Sequence, residues 1–126
     1  MKVRIIKVIP NIPKPIALCK TDYGNISVCW MENIPILYEI YDVEFEINEI
    51  LFWDKDIIPS KEPLAMYDDD FGIKLIGDLE EIDEDGYLVL RIGDSIITCV
   101  TKNVPKKIGL RIEVRVKCVD AYPIEY

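Results

Sequence analysis

The stretch from Tyr38 to Trp53, YEIYDVEFEINEILFW, decides the fold that this sequence predicts. Apolar and polar side chains alternate along it, with Val43 and Phe45 on one face, and this alternation is typical of a half-buried β-strand. The alternation slips around Glu49 and Ile50. A β-bulge or sharp bend at that point would allow one long strand to serve two sides of a curved sheet.

The same order of features returns 70 residues further on, which indicates an internal repeat. The phrase CWMENIP, which begins at Cys29, is matched by CVTKNVP, which begins at Cys99, and both cysteines are expected near strand ends. VEFEINEI from Val43 aligns with IEVRVKCV from Ile112, where the alternation slips again near its end. Each half is therefore predicted to contain four strands.

The predicted fold class is all-β, built from two tandem four-stranded repeats. The first repeat is residues 1–57 and the second is residues 72–126, while residues 58–71 form a connecting segment without a strand period. We expect Val3–Ile40 to superpose on Ile73–Leu110. A β domain of about 55 residues buries too small a core to be stable alone, so the halves are expected to pack together. They would form either two small barrels or one fused eight-stranded barrel or sandwich.

Composition indicates an ordinary globular protein, since half of the residues are apolar and 30% are charged. The net charge of −8 repels phosphate backbones and attracts basic surfaces, so nucleic acid is an unlikely partner. Pro10, Pro13 and Pro15 interrupt the apolar residues near the N-terminus, and no apolar run approaches the ~18 residues of a membrane span. We therefore expect a cytoplasmic protein with no membrane partner.

Few residues with catalytic or ligand-binding chemistry are present. The chain has no His and no glycine-rich phosphate loop, so neither an enzyme nor a cofactor is expected. Its cysteines, Cys19, Cys29, Cys99 and Cys118, form no C-x-x-C pair, and we predict reduced thiols and no metal site. Three adjacent acids, Asp68–Asp70, lack the spacing of a calcium loop and leave cation binding open.

Two acidic segments are candidate partner-binding surfaces. The first combines Tyr41, predicted to be an exposed ring, with Asp42, Glu44 and Glu46 on the outer face of the long strand. Charge mostly steers association, whereas buried rings carry affinity, so this combination is favoured. The second segment is a predicted hairpin. A role in preventing aggregation at the edge of the sheet would also explain its acidic side chains. Its acids are Asp78, Glu80, Glu81, Asp83, Glu84 and Asp85.

The second half resembles small barrels of the oligonucleotide/oligosaccharide-binding (OB) type. The resemblance lies in GIKLIGDLEEIDEDGYLVLRIGDSIITCV followed by IGLRIEVRVKCVDAYP, which reads as a strand, a tight turn, two further strands and a long final strand. The pattern departs from the family, because no helix precedes the final strand and no basic binding face is present. In size and acidity the chain is also similar to immunity proteins of bacterial toxin systems.

Two functions are predicted from different classes. The leading one is an acidic protein-binding module, an immunity or inhibitor protein that neutralises a basic toxin or nuclease. The alternative is a ligand-binding β-barrel for an oligosaccharide or oligonucleotide, which would use first-half aromatics such as Trp30 and Trp53. Nine acids against six bases through Ile57 make the sugar the better ligand of the two.

Overall fold

The computed structural model describes residues 1–124 and is all-β, which confirms the predicted fold class. Eleven strands follow one another in these residues: β1 (Lys2–Ile9), β2 (Ile16–Thr21), β3 (Gly24–Trp30), β4 (Ile40–Phe52), β5 (Ile57–Pro59), β6 (Ala65–Asp69), β7 (Gly72–Ile82), β8 (Tyr87–Ile92), β9 (Ser95–Lys102), β10 (Arg111–Val116) and β11 (Asp120–Pro123). A search of the same residues finds no helical segment with the length and apolar character that crossing a membrane requires.

Five of these strands close into a barrel. β1 pairs with β2 and β2 with β3, β3 lies parallel to β11, and β11 runs antiparallel to β4. β4 then pairs back with β1, where Lys2 lies opposite Asp42 and Arg4 lies opposite Ile40. Closure of this kind removes the open strand edges of a sheet. The barrel that begins with β1 is therefore completed by the last described strand, β11.

The long strand β4 joins the barrel to the other strands of the sheet. Phe45 and Glu46 lie opposite Ile97 and Thr98 of the parallel strand β9, and the register then shifts before Ile50. The bulge inserts extra residues into β4. The side-chain alternation keeps its phase across it, because Val43, Phe45, Ile47 and Leu51 are buried while Glu44, Glu46 and Ile50 are exposed. This position coincides with the slip predicted around Glu49 and Ile50.

The remaining strands continue the sheet. β7, β8 and β9 form an antiparallel meander, β10 pairs with β7, β5 pairs with β10, and β6 pairs with the first residues of β7. The turn between β7 and β8 is the predicted hairpin. Gly86 there has a φ of 84°, and a Cβ at this position would lie 2.2 Å from the carbonyl oxygen of Thr101. Only glycine fits this turn without strain.

One apolar core spans both halves, as predicted. Its buried members include Ile5 and Trp30 from the first half and Leu90 and Val114 from the second, all in one cluster. Among the residues described, every buried polar side-chain atom has a hydrogen-bond partner. The buried polar side chains of the described residues thus have hydrogen-bond partners, and one apolar cluster contains residues of both halves.

The connecting segment, residues 58–71, departs from the prediction, because it contains a strand. β6 occupies Ala65–Asp69 and pairs with β7. Met66 is fully buried, while Asp68 and Asp69 bond to neighbouring strands. The run of acids therefore belongs to a strand that forms a tight hairpin with β7, where Asp69 lies opposite Gly72, and whose side chains also bond to the more distant strands β3 and β10.

The predicted long final strand is interrupted at residues 117–119 and becomes β10 and β11. β10 pairs with β7, whereas β11 enters the five-stranded barrel. The described residues thus hold eleven strands where the tandem repeat predicts eight. The four-stranded repeat, its bounds at residues 1–57 and 72–126, and the superposition of its halves stay predictions.

Candidate docking face

The outward-facing side chains of β4, β8 and β9 form the candidate site, which we call the docking face. Ladder partners place side chains in rows across these strands, because paired residues point to the same side of a sheet. Ile50 lies opposite Val100, which lies opposite Tyr87. The members of the docking face are Glu44, Glu46, Ile50, Tyr87, Ile96 and Val100.

An exposed apolar row crosses the docking face. Ile50 is 51% exposed, Val100 is 45% exposed and Tyr87 is 44% exposed, although each belongs to a regular strand. Ile96 is similarly exposed two positions before Thr98 on β9. Single exposed apolar side chains are ordinary, whereas contiguous ones mark surfaces of association. The row is therefore the apolar part of a candidate interface.

Two carboxylates border this row. Glu44 and Glu46 are exposed, and they alternate with the buried side chains of Val43, Phe45 and Ile47. Within residues 1–124, no Lys or Arg forms an ion pair with Glu44 or Glu46. Their charge is thus not neutralised by a contact within the described chain.

The acidic border continues onto β11. Asp120 lies opposite Glu46, and Tyr122 lies opposite Glu44. Partial burial and the nearby carboxylate of Glu46 raise the pKa of Tyr122, which keeps the phenol neutral at physiological pH. β11 therefore adds a carboxylate and a phenol beside the docking face.

A cleft of about 350 Å³ brings the acidic and apolar parts together. Its lining includes Glu44, Ile96 and Thr98, together with Asp94 from the turn before β9. Met1 also lines the cleft, but its amino group is paired with Asp42, so Glu44 and Asp94 give the cleft its negative character. This arrangement suits the insertion of a cationic side chain with an apolar stem, such as Lys or Arg.

Asp42 differs from Glu44 and Glu46 although all three share the outer face of β4. The Met1 amino group lies 3.1 Å from Asp42 Oδ1 and also donates to the Val43 carbonyl at 2.9 Å. Asp42 is therefore a partly buried, paired acid. The acidic row predicted from sequence is reduced to Glu44 and Glu46 for contact with a partner.

The prediction that Tyr41 is an exposed ring is wrong. Its ring packs edge-on against Trp30, with the ring centroids 5.0 Å apart, and it contacts the apolar core. Its hydroxyl accepts a hydrogen bond from the Ile36 N–H at 2.9 Å. Tyr41 has the same parity as Val43 and Phe45, so it points inward with them. Tyr87, which the sequence analysis left out of the site, is the exposed aromatic ring of the docking face.

The alternative acidic patch, the hairpin between β7 and β8, is partly neutralised. Arg111 Nε lies 2.6 Å from Asp78, and Arg91 contacts both carboxylate oxygens of Glu80. Asp83 Oδ1 accepts the N–H groups of Asp85 and Tyr87, which stabilises the turn. Glu81, Glu84 and Asp85 remain exposed. Half of the hairpin acids thus have structural contacts of their own.

Two of the three adjacent acids of residues 68–70 bond to other parts of the chain. Asp68 accepts the N–H of Ser27 at 2.9 Å, and both carboxylate oxygens of Asp69 accept from Arg115. The Arg115 guanidinium lowers the pKa of Asp69. Donors of the protein thus already bond to Asp68 and Asp69.

Both tryptophans lie in the core. Trp30 is 1% exposed and Trp53 is 6% exposed, so neither offers a face to a ligand. The ligand-binding alternative thus loses its two tryptophans, whereas Tyr38 and Phe52 of the first half are exposed.

An exposed apolar loop between β3 and β4 was missed by the sequence analysis. Its exposed large side chains are Ile34, Ile36, Leu37, Tyr38 and Ile40. The signal was present, because these residues cluster around Pro35 without the alternation of a strand.

The chain matches no protein-family model, no curated protein and no solved structure.

Proposed function

We propose that this chain is an acidic protein-binding module that uses its docking face to bind a basic partner protein. The partner class we propose is a basic toxin or nuclease, which the module neutralises as an immunity or inhibitor protein does. One observation carries the proposal: the carboxylates of Glu44 and Glu46, which form no ion pair among the described residues, adjoin an exposed apolar row on one face.

The two parts of the docking face have different roles in this proposal. Carboxylates that form no ion pair within residues 1–124 attract a basic surface over a distance and raise the association rate at low salt. The apolar row loses its water in the complex and limits dissociation, because buried apolar and aromatic side chains carry most interface energy. Inhibition then follows from occupying the basic surface with which a nuclease would hold its substrate.

The five-stranded barrel supports this function as a rigid scaffold, and we propose that it is OB-like. Sites on strands are held more precisely than sites on loops. The module acts by binding rather than by catalysis. A cytoplasmic location belongs to the same proposal, since free thiols persist best in a reducing compartment.

Site-specific photo-crosslinking tests the proposal. The purified chain would carry benzoylphenylalanine at Val100 and, as a matched control, at Phe71, which is exposed but outside the docking face. Both proteins are illuminated in host extract at low salt, and crosslinked partners are identified by mass spectrometry. We expect a basic protein captured at Val100 and not at Phe71. Equal capture at both positions, or capture of acidic proteins only, would contradict the proposal.

The captured protein is then purified and its affinity measured. The double change Glu44→Lys/Glu46→Lys should weaken binding at least tenfold, since charges across an interface are worth about 1–3 kcal/mol. The matched control Glu81→Lys/Glu84→Lys changes the net charge by the same amount on the hairpin. If the hairpin variant weakens binding equally, only net charge matters and the docking face is not the interface. If the partner is a nuclease, an equimolar amount of the unaltered chain should abolish its activity.

A further inference from the structure

We propose that Cys29 and Cys118 form a disulfide when the folded protein meets a hydroperoxide. This would be a modification site on the outside of the barrel that covalently joins β3 to the segment that leads into β11. The proposal is independent of the docking face.

The two sulfurs are already in contact. Cys29 Sγ lies 2.7 Å from Cys118 Sγ, and both side chains are half-buried. A disulfide places its sulfurs about 2.05 Å apart, so the pair needs to approach by only about 0.7 Å.

The backbone around the pair holds this arrangement. The Cys29 N–H donates to the Val119 carbonyl at 2.9 Å, and Cys29 lies opposite Asp120 in the parallel pair of β3 and β11. Glu49 Oε2 accepts the N–H groups of Lys117 and Cys118 at 2.7 and 3.0 Å. The turn that presents Cys118 is therefore fixed by main-chain contacts on both sides.

The pair is also accessible to a small oxidant. Both cysteines line a cleft of about 180 Å³, together with Ser27 and Lys117. Cys19 and Cys99, in contrast, are buried. Burial raises the pKa of both thiols to about 12, and it raises the pKa of Cys118 to the same value, so the outer pair differs from the buried cysteines in access and in the contact between its sulfurs. Oxidation should therefore select the outer pair, because exposure controls which cysteines a small oxidant reaches.

The reaction with hydrogen peroxide is balanced. One thiolate attacks peroxide, an S–O bond forms, the O–O bond breaks, and the sulfenic acid and one water result. The second sulfur then attacks the sulfenic sulfur, so the S–S bond forms as the S–O bond breaks and a second water leaves. The two thiols lose two electrons, and their two protons end in the two waters. Dithiothreitol reverses the change by thiol–disulfide exchange.

A metal site is the competing use of this cluster, since Cys29, Cys118 and Asp120 bring three donor atoms within 4.8 Å of one another. Two sulfurs bound to one tetrahedral Zn²⁺ at about 2.3 Å lie about 3.8 Å apart, so a metal would have to push this pair about 1 Å further apart. One oxygen of Asp120 is already bonded to Asn48. The distances therefore favour the disulfide.

The disulfide would close a loop between positions separated by 89 in sequence. Cross-links that close long loops restrict the unfolded chain most in the chain-entropy model. We expect the melting temperature to rise by roughly 10 °C on oxidation and to fall back on reduction.

The test is peptide mapping of the full chain after peroxide treatment under native conditions. Remaining thiols are blocked, and intact mass, disulfide-linked peptides and melting temperature are measured. We expect a mass loss of two hydrogen atoms per monomer, a Cys29–Cys118 linked peptide and the higher melting temperature. Cys118→Ser should abolish all three, whereas Cys99→Ala should retain the linked peptide.

Three results would overturn the proposal. They are full alkylation of all four thiols after oxidation, a link between other cysteines, and links only between chains. A Zn²⁺ titration of the reduced protein is run alongside. A cysteine-dependent rise in melting temperature with Zn²⁺, in a protein that forms no internal disulfide with peroxide, would assign the cluster to metal binding instead.

Discussion

Trp53 donates its indole N–H to Thr101 Oγ1 at 2.9 Å, and Thr101 donates the same hydroxyl to the Gly86 carbonyl at 2.7 Å. Trp53 and Thr101 are both buried. This pair of bonds joins the residue after β4, strand β9 and the hairpin turn before β8. The two halves of the chain are therefore tied by a buried polar relay as well as by apolar packing.

Loss of the relay should destabilise the fold. Thr101→Val keeps the shape of the side chain but leaves the Trp53 N–H without its partner, whereas the Gly86 carbonyl still accepts the Thr101 backbone N–H at 2.8 Å. An unsatisfied buried group costs about 1–3 kcal/mol, so we expect the free energy of unfolding to fall by about 2 kcal/mol. Urea unfolding measures this change. Thr98→Val, on the outer face of the same strand, is the control and should have little effect; equal losses would refute the role of the relay.

Tyr41 and Tyr87 should affect different properties. Tyr41→Ala removes a ring packed on Trp30 and should lower the free energy of unfolding by about 3 kcal/mol. Tyr87→Ala should leave stability almost unchanged and accelerate dissociation of the basic partner about tenfold, because an exposed ring is buried only in the complex. Urea unfolding and surface plasmon resonance separate the two effects. If Tyr41→Ala accelerated dissociation and Tyr87→Ala lowered stability, Tyr41 rather than Tyr87 would belong to the interface.

Salt should distinguish the two parts of the docking face. Glu44→Lys/Glu46→Lys should slow association about tenfold at low ionic strength, and the difference should shrink as salt screens the charges. Val100→Ala should leave the association rate unchanged and raise the dissociation rate. Stopped-flow association at several salt concentrations tests this division. A salt-independent effect of the charge reversal would mean that the carboxylates do not steer the partner.

Stability should decline in alkaline solution because of Cys19 and Cys99. Burial raises each pKa from 9.0 to about 12, so the unfolded chain loses these protons before the folded chain does. Their contribution is complete below pH 9 and is lost as the pH rises from 9 towards 12, at about 1.4 kcal/mol per pH unit and thiol. Urea unfolding at pH 8 and pH 10 measures the slope. The variant Cys19→Ala/Cys99→Ala should show a flatter dependence, and an unchanged slope would assign the effect to other groups.

Local periodicity was sufficient to predict several elements. The alternation of β4, its irregularity near Ile50 and the hairpin at Gly86 could all be predicted from the sequence, because each depends on neighbouring residues. The inward direction of Tyr41 was also readable, since it shares the parity of Val43 and Phe45. The prediction failed because Tyr41, which precedes the acidic row, was placed outside the alternating apolar set.

The pairing of strands that are distant in sequence could not be predicted from the same pattern. The slip in alternation near the end of IEVRVKCV indicates a bend, but nothing in residues 117–123 indicates that β11 lies beside β3 rather than continuing β10. Similarly, Arg111 and Arg91 neutralise Asp78 and Glu80 only because β10 and β8 flank β7. Periodicity gives the face of a side chain, whereas tertiary topology decides which charges meet.

The closing of the barrel by β11 has a consequence for synthesis on the ribosome. β1, β2, β3 and β4 emerge early, but the strand that belongs between β3 and β4 is made some seventy residues after β4 ends. Until Asp120–Pro123 emerges, the facing edges of β3 and β4 cannot be paired as in the final barrel. Unpaired strand edges pair with strands of other chains. This protein is therefore most prone to aggregate during the stage of synthesis at which β11 has not yet emerged.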